Sequence, residues 1–210
     1  MVSDDLALLA AWREGDRGAG NQLVERHLRT LYSFFRTKVD GEVDELIQRT
    51  FLACVESRDK FRGEASFRTY LFAVARNEVH GYYRRRDRRS DESDLALQSV
   101  ADLGTSPSGI ALRHAEHRLL LEALRSIPLD YQIALELFYW ENMTGGELAV
   151  VLGVPEGTAR TRINRGRAAL NDALVRLADS SERLESTTGN LDKWAQSLRE
   201  YLCAEGVGPL

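Results

Sequence analysis

The sequence predicts an all-α fold of two helical domains joined by a flexible linker, with a short helical extension at the C-terminus. Apolar residues recur at intervals of three and four along most of the chain, and no segment alternates apolar and polar residues as a strand would. Periodicity is lost over residues 90–112, which are rich in Ser, Gly, Pro and acids and separate two groups of helices. With 210 residues, the chain is long enough for two small domains.

Four helices are predicted before the linker. Two lie within residues 4–38 and are separated at Gly15-Asp16. The third begins near Val43, and Cys54 falls on its apolar stripe, where it is interpreted as a small core residue. Three polar residues lie off this stripe and are predicted to face solvent: Asp44, Glu45 and Gln48.

The fourth helix, from about Ser66 to Arg86, follows a loop with two aromatic residues around a glycine. One side is predicted to be buried, and the opposite side carries Ala73, Asn77, His80 and Arg84. An amide, an imidazole, a tyrosine pair and arginines beside an aromatic loop suit single-stranded DNA, because aromatic rings stack on splayed bases and arginines follow the backbone. The alternative interpretation is a core aromatic pair beside a solvated helix with a basic end.

A helix-turn-helix is predicted after the linker, behind a helix that ends at Pro128 and another that follows it. Thr144 and Glu147 have the spacing of a capping box at the start of a short helix. Gly153 can end that helix in a left-handed turn, and Pro155 suits the first position of the next one.

The second helix of this motif presents a polar face, composed of Arg160, Thr161, Asn164 and Arg167 with Arg165 at its border. Arginine can form two hydrogen bonds with guanine and asparagine two with adenine, and further arginines neutralise phosphates. Such a helix is typical of one that reads the major groove. The alternative is a solvated basic face on an ordinary amphipathic helix.

Charge and composition exclude several classes of protein. The net charge is −4, but arginines concentrate in two blocks while acids dominate the N-terminus and the linker, so we expect the protein to bind DNA weakly on its own. Neither cysteine has a Cys or His at metal-ligand spacing, and the four histidines show no catalytic pairing. No enzymatic activity, metal or cofactor is therefore expected. The acidic N-terminus and the absence of a long apolar run predict a cytoplasmic protein without membrane insertion.

Four segments, in this order along the chain, resemble the extracytoplasmic-function (ECF, group IV) sigma factors of the sigma-70 family: Asp44–Phe51, Phe61–Leu71, Ala75–Asn77 and Leu152–Thr158. The resemblance covers roughly residues 4–178. It implies that residues 1–89 form sigma region 2, residues 90–112 the linker and residues 113–178 sigma region 4, followed by an extension over residues 179–210. The expected function is to bind core RNA polymerase and direct promoter-specific initiation.

The resemblance also implies roles for individual residues. Those expected at the melted −10 element are Phe61, Arg62, Gly63, Ser66, Phe67, Asn77, His80 and Arg84. Those expected at the −35 duplex are Arg160, Thr161, Asn164, Arg165 and Arg167. Asp44, Glu45 and Gln48 would meet the β′ clamp of the polymerase. The implied partners are core RNA polymerase, through its β′ clamp and β flap, promoter DNA and an anti-sigma factor.

Three features depart from the family pattern. Gly145-Gly146 replace an aromatic residue and an acid, Gly81 interrupts the long fourth helix, and the C-terminal extension is longer than the minimal pattern. The extension carries one predicted amphipathic stripe, formed by Leu191, Trp194, Leu198 and Tyr201.

Two other functions fit parts of the sequence. A stand-alone helix-turn-helix activator would need no pocket for single-stranded DNA, so the aromatic loop and Asn77 argue against it. A regulatory adaptor that keeps the sigma fold and binds only proteins would need no base-reading arginines.

Overall fold

The computed structural model of the protein describes residues 2–57, 65–86, 98–99, 115–177 and 199–200. Within these residues the chain forms eight α-helices and no β-strand, which confirms the predicted fold class. The helices are α1 Val2–Arg13, α2 Arg17–Arg36, α3 Val43–Glu56, α4 Phe67–Arg86, α5 Ala115–Arg125, α6 Leu129–Glu141, α7 Gly145–Leu152 and α8 Glu156–Leu177. No helix in the described part is long and apolar enough to cross a membrane.

Helices α1 to α4 form an N-terminal bundle. Gly15 has a φ of +100°, and the Asp16 side chain then caps α2 by accepting hydrogen bonds from the backbone N–H groups of Gly18 and Ala19 at 2.8 and 3.2 Å. Helix α1 packs closely on α2 where Gly20 has no side chain. A Cβ atom at Gly20 would lie only 2.5 Å from Nε1 of Trp12. The two helices predicted within residues 4–38 are thus confirmed.

The core of this bundle contains the aromatic residues that the sequence left ambiguous. Tyr82 and Tyr83 are 3% and 1% exposed, and their rings meet edge to face at 5.1 Å. The Tyr83 hydroxyl donates a hydrogen bond to the carbonyl of Lys38. The pair is therefore a core feature, as the alternative interpretation of this helix predicted. Cys54 is also fully buried, as predicted, and burial raises the pKa of its thiol to about 12.

Helices α5 to α8 form a C-terminal bundle, and the described residues of the linker contact its edge. The backbone N–H of Leu129 donates to the carbonyl of Gln98 at 2.8 Å, beside a bridge between Ser99 and Pro128. Helix α8 packs closely on α6 at Gly166. A Cβ atom there would lie 3.3 Å from both the Leu135 and the Tyr131 side chains.

The predicted helix-turn-helix is formed by α7 and α8. The Thr144 hydroxyl accepts a hydrogen bond from the Glu147 backbone N–H, and the Glu147 carboxylate accepts one from the Thr144 N–H at 2.9 Å, which completes the capping box. Gly153 takes the left-handed conformation with a φ of +63°. Helix α8 begins at Glu156, one residue later than predicted, and the Pro155 carbonyl accepts from its first turn.

Candidate nucleic-acid interface

The polar face of α8 is open to solvent. All five predicted DNA-reading residues are exposed: Arg160, Thr161, Asn164, Arg165 and Arg167. The opposite face of the helix is buried in the bundle through Ala159, Ile163, Gly166 and Leu170. The left-handed Gly153 ends α7 and turns the chain into α8, whose buried face then leaves this polar face outward.

Arg160 forms an ion pair within its own helix. Its Nη2 atom lies 2.6 Å from Oε1 of Glu156 one turn earlier, with the two side chains 70% and 50% exposed. An exposed pair of this kind contributes little to stability, so Arg160 can exchange Glu156 for another acceptor at small cost.

Arg162 lies on the same helix but turns away from the polar face. Its guanidinium forms an ion pair with Asp130 at the start of α6. Arg76 on α4 binds the same carboxylate with two hydrogen bonds of 3.0 Å, and Nε2 of His80 lies 3.3 Å from it. Asp130, Arg76, His80 and Arg162 form what we term the Asp130 cluster, which joins the two bundles.

The Asp130 carboxylate is strongly stabilised in its charged form. Burial alone would raise the pKa of Asp130, whose side chain is 1% exposed. The hydrogen bonds from His80 and Arg76, and the charges of Arg76 and Arg162, outweigh burial and lower the pKa to about 2. Asp130 is therefore ionised at any physiological pH.

The structure corrects the expectation for His80. The sequence placed His80 on an open face with Asn77 and Arg84, but its side chain is fully buried at the Asp130 cluster. Periodicity placed the residue on the correct face of α4, and the C-terminal bundle covers that part of the face. Asn77 and Arg84 are exposed, as predicted.

A cavity of about 270 Å³ lies where the predicted −10 loop meets α4. Ser66 and Phe67 line it together with Arg26, His27, Arg68, Asp5 and Glu147. The structure also corrects the expectation for Phe67: its side chain is fully buried in the bundle, with its ring centroid 5.4 Å from that of His27, and is not open to a base. Three residues predicted at the same element lie outside the described part: Phe61, Arg62 and Gly63.

An apolar groove of about 400 Å³ runs along α3. It is lined by Trp12, Val24, Leu28, Ile47, Phe51, Leu52 and Val55, with Asp44 and Gln48 also part of the wall. Leu52 is 53% exposed in the wall of this groove. Asp44, Glu45 and Gln48 are exposed, as predicted.

A second ionic cluster, which we term the Lys38 cluster, joins the bundles through Lys38, Thr37, Glu136 and Arg125. The Lys38 ammonium and the Glu136 carboxylate form an ion pair with side chains 0% and 1% exposed. Arg125 Nε donates to the Thr37 carbonyl at 2.8 Å. Sequence reasoning missed both clusters, because the ion pairs that form them join residues 32 to 98 positions apart in sequence and share no local pattern.

Comparison with known proteins identifies the two halves of the chain. Residues 23–89 match the Sigma-70 region 2 family, and residues 117–170 match the Sigma-70, region 4 family. The first match contains α3 and α4. The second contains α7 and most of α8, which form the helix-turn-helix.

Relatives and solved structures agree with these matches. The ECF RNA polymerase sigma-E factor of Escherichia coli (strain K12) is 27% identical over 181 residues, covering 80% of this chain and 93% of that protein. The sigma-E factor of Haemophilus influenzae is 26% identical over 179 residues, covering 81% and 95%.

Among solved structures, CnrH in complex with the cytosolic domain of CnrY superimposes with a TM-score of 0.59 at 25% identity, covering 84% of this chain and 99% of that chain. The sigma factor RpoE in complex with the anti-sigma factor NepR from Bartonella quintana gives 0.58 at 22% identity, covering 76% and 98%. The chain belongs to the sigma-70 family of RNA polymerase sigma factors, within its extracytoplasmic-function group.

Proposed function

We propose that this protein is a promoter-specificity subunit of RNA polymerase, which binds the core enzyme in the cytoplasm and directs initiation without catalysing a reaction itself. The observation that carries the proposal is the pairing of two surfaces in one chain: an exposed base-reading face on a capped helix-turn-helix, and an N-terminal bundle with an exposed amide on α4 and a cavity at the start of that helix. A protein that reads only duplex DNA needs the first surface alone.

Recognition of the −35 duplex is assigned to Arg160, Thr161, Asn164, Arg165 and Arg167. All five side chains are exposed on α8 and offer the donors that guanine and adenine edges accept. The additional arginines contribute phosphate neutralisation, which sets affinity and its dependence on salt.

Recognition of the melted −10 element is assigned to the N-terminal bundle. The cavity beside Ser66 and Phe67 has arginines in its wall, and Asn77 and Arg84 lie exposed on α4. Extraction of a base costs a few kcal/mol of stacking, and an aromatic pocket restores about 1–3 kcal/mol per base. The remainder must come from polymerase contacts, so the chain should melt DNA only as part of the holoenzyme. Phe61, Arg62 and Gly63 stay predicted contacts on the loop.

Binding of core polymerase is assigned to α3. The apolar groove with exposed Leu52 and the polar Asp44 and Gln48 in its wall suits an amphipathic helix, which would bury its apolar face and pair its polar edge. Glu45, exposed on the same helix, adds a carboxylate to this surface. An anti-sigma factor remains an expected partner, since the sigma factor RpoE from Bartonella quintana forms a complex with the anti-sigma factor NepR.

Run-off transcription with purified core polymerase and a promoter library tests the proposal. We expect transcripts that start at a defined subset of templates only when the chain is present. Initiation at the same templates with and without it would overturn the proposal. Sequence-specific binding to duplex DNA without polymerase, together with no effect on core enzyme alone, would favour a stand-alone activator.

The assignment of α8 predicts the effect of Arg160→Ala. Loss of two hydrogen bonds to a base edge should weaken recognition of one −35 position by about 1–3 kcal/mol and relax its base preference. Competition binding of the holoenzyme to promoters that differ at single −35 positions measures both effects. Arg176→Ala, which removes an exposed arginine from the last turn of the same helix, is the matched control. An unchanged preference at every position would contradict the placement of Arg160.

A further inference from the structure

We infer that Glu156 determines specificity at the −35 element together with Arg160, as a donor–acceptor pair that reads one G·C base pair. Glu156 was not among the five residues of α8 expected at this element, although it lies in the first turn of the same helix. The inference rests on the proposed function, because it names the base pair that the reading face of α8 would recognise.

The first turn of α8 holds a carboxylate and a guanidinium together. Nη2 of Arg160 donates a hydrogen bond of 2.6 Å to Oε1 of Glu156. The two residues lie four positions apart, so their side chains project from the same side of the helix. Within the described part of the chain, no ion pair holds Arg165 or Arg167. Arg160 is therefore the arginine of the reading face that a carboxylate orients before DNA is bound.

Two glycines at the start of α7 leave space for this pair. A Cβ atom at Gly145 would lie 3.2 Å from Nε of Arg160 and 3.3 Å from Oε1 of Glu156, so the pair would have to shift. A Cβ atom at Gly146 would lie 4.0 Å from Oε2 of Glu156, which is ordinary contact. The pair thus rests against α7 and stays open to a ligand, since the Arg160 and Glu156 side chains are 70% and 50% exposed.

The groups of this pair match the major-groove edge of a G·C base pair. Guanine presents the acceptors N7 and O6, and cytosine presents its N4 amine as a donor. A guanidinium has five N–H donors, so Arg160 can contact guanine while it stays paired with Glu156. The second carboxylate oxygen of Glu156 can accept from the cytosine amine. An A·T base pair presents a donor in place of O6 and an acceptor in place of the amine, so each side chain would meet a group of its own kind.

The carboxylate also lowers the affinity for DNA of unrelated sequence, because its charge repels phosphates. An exposed ion pair contributes little to the stability of the fold. Removal of the Glu156 carboxylate should therefore move two measurements in opposite directions: the preference for G·C falls and binding to unrelated DNA strengthens. A defect in the folding of α8 would instead lower both.

The test measures competition binding of the holoenzyme to promoters that carry each base pair at the −35 position whose preference Arg160→Ala relaxes. We expect the native holoenzyme to prefer G·C there. Glu156→Ala should reduce its preference over A·T by about three- to tenfold, the range for one hydrogen bond. Gly157→Ala, which adds a Cβ atom in open space beside Glu156, is the matched control and should leave the preference unchanged. A native preference for A·T, or an unchanged preference for G·C in Glu156→Ala, overturns the inference.

Modified bases test the same contacts without a change in the native protein. N4-methylcytosine carries a methyl group on the amine that Glu156 would contact. It should weaken binding of the native holoenzyme by about three- to tenfold and leave the Glu156→Ala holoenzyme unaffected. 7-Deazaguanine lacks the N7 acceptor and should weaken both, because Arg160 is present in both. Equal sensitivity of the two holoenzymes to N4-methylcytosine would overturn the contact between Glu156 and cytosine.

The two glycines of α7 give a further comparison. Gly145→Ala should reduce the preference for G·C, because its Cβ atom displaces the pair, whereas Gly146→Ala should keep the native preference. The same preference in both variants would overturn the part assigned to Gly145. A native holoenzyme that binds no promoter sequence selectively would count against the proposed function. Selective binding that does not depend on Glu156 would count against this inference alone.

Discussion

Gly145 shows how a single residue shapes the reading face. A Cβ atom there would lie 3.2 Å from Nε of Arg160 and 3.3 Å from Oε1 of Glu156, tighter than ordinary contact. The missing side chain lets the Arg160–Glu156 pair lie against the start of α7. The capping box at Thr144 still closes the first turn, so the two glycines do not prevent the helix from starting. This departure from the family pattern therefore changes the surroundings of Arg160 and leaves the helix-turn-helix intact.

The buried Cys54 thiol is expected to react slowly in the folded chain. Because burial raises the pKa of its thiol to about 12, the reactive thiolate should be roughly 1,000-fold scarcer at pH 8 than in the unfolded chain. In a Cys203→Ser variant, modification by a thiol reagent should be slower by at least this factor than in urea-unfolded protein. Stopped-flow absorbance in both states measures the ratio. Comparable rates would mean that α3 opens readily in the folded chain.

Gly81 carries a prediction at the scale of one helix. Helix α4 runs through Gly81 without interruption, and a Cβ atom there would meet only the flexible end of Arg85 at 3.4 Å. Gly81→Ala should therefore stabilise the protein by up to about 1 kcal/mol, because alanine restricts the unfolded backbone and favours the helix. Urea denaturation measures the change.

The matched control is the same substitution on α2, where it should have the opposite sign. A Cβ atom at Gly20 would lie 2.5 to 2.8 Å from three atoms of the Trp12 indole, so α1 would have to move. Gly20→Ala is expected to destabilise the bundle. A gain in stability from both substitutions, or from neither, would contradict the explanation that the space around each glycine decides the sign of the effect.

Helices were predictable from sequence because their signals are local. Apolar spacing within one helix, the Thr144–Glu147 capping box and the left-handed Gly153 each act over a few residues, and the structure confirms them. The orientation of the α8 reading face followed in the same way, since every exposed position belongs to one helix. Helix α8 begins one residue after its predicted start at Pro155, because helix ends fray and are defined only to within one or two residues.

The arrangement of the whole molecule was not predictable, because it depends on contacts between distant parts of the chain. Arg76 lies in a segment that resembles the family, and Asp130 lies two residues after Pro128. No local pattern links these two residues, which are 54 positions apart in the sequence. The expectation for His80 was wrong for this reason. The sequence identified the face of α4 on which His80 lies, but not the C-terminal bundle that covers this face. The ionic clusters between the bundles were found only from the fold.

The Asp130 cluster also predicts how the stability of the whole molecule depends on pH. The pKa of Asp130 is lowered from 3.8 to about 2 by His80 and Arg76 on α4 and by Arg162 on α8. A lowered pKa means that the ionised group stabilises the fold. This contribution is complete above about pH 4 and is lost as the pH falls towards 2. A shift of this size corresponds to roughly 2 kcal/mol.

Comparison of the native chain with Asp130→Asn isolates this contribution from that of other carboxylates. Urea denaturation at pH 6 and near pH 2 gives the loss of stability on acidification for each chain. The native chain should lose about 2 kcal/mol more than the variant, since asparagine has no proton to gain. Glu122→Gln, an exposed change of the same kind, should lose as much as the native chain. Equal losses in native and Asp130→Asn chains would mean that the carboxylate is not held by Arg76, Arg162 and His80 in solution, and the other contacts between the bundles would then have to join them.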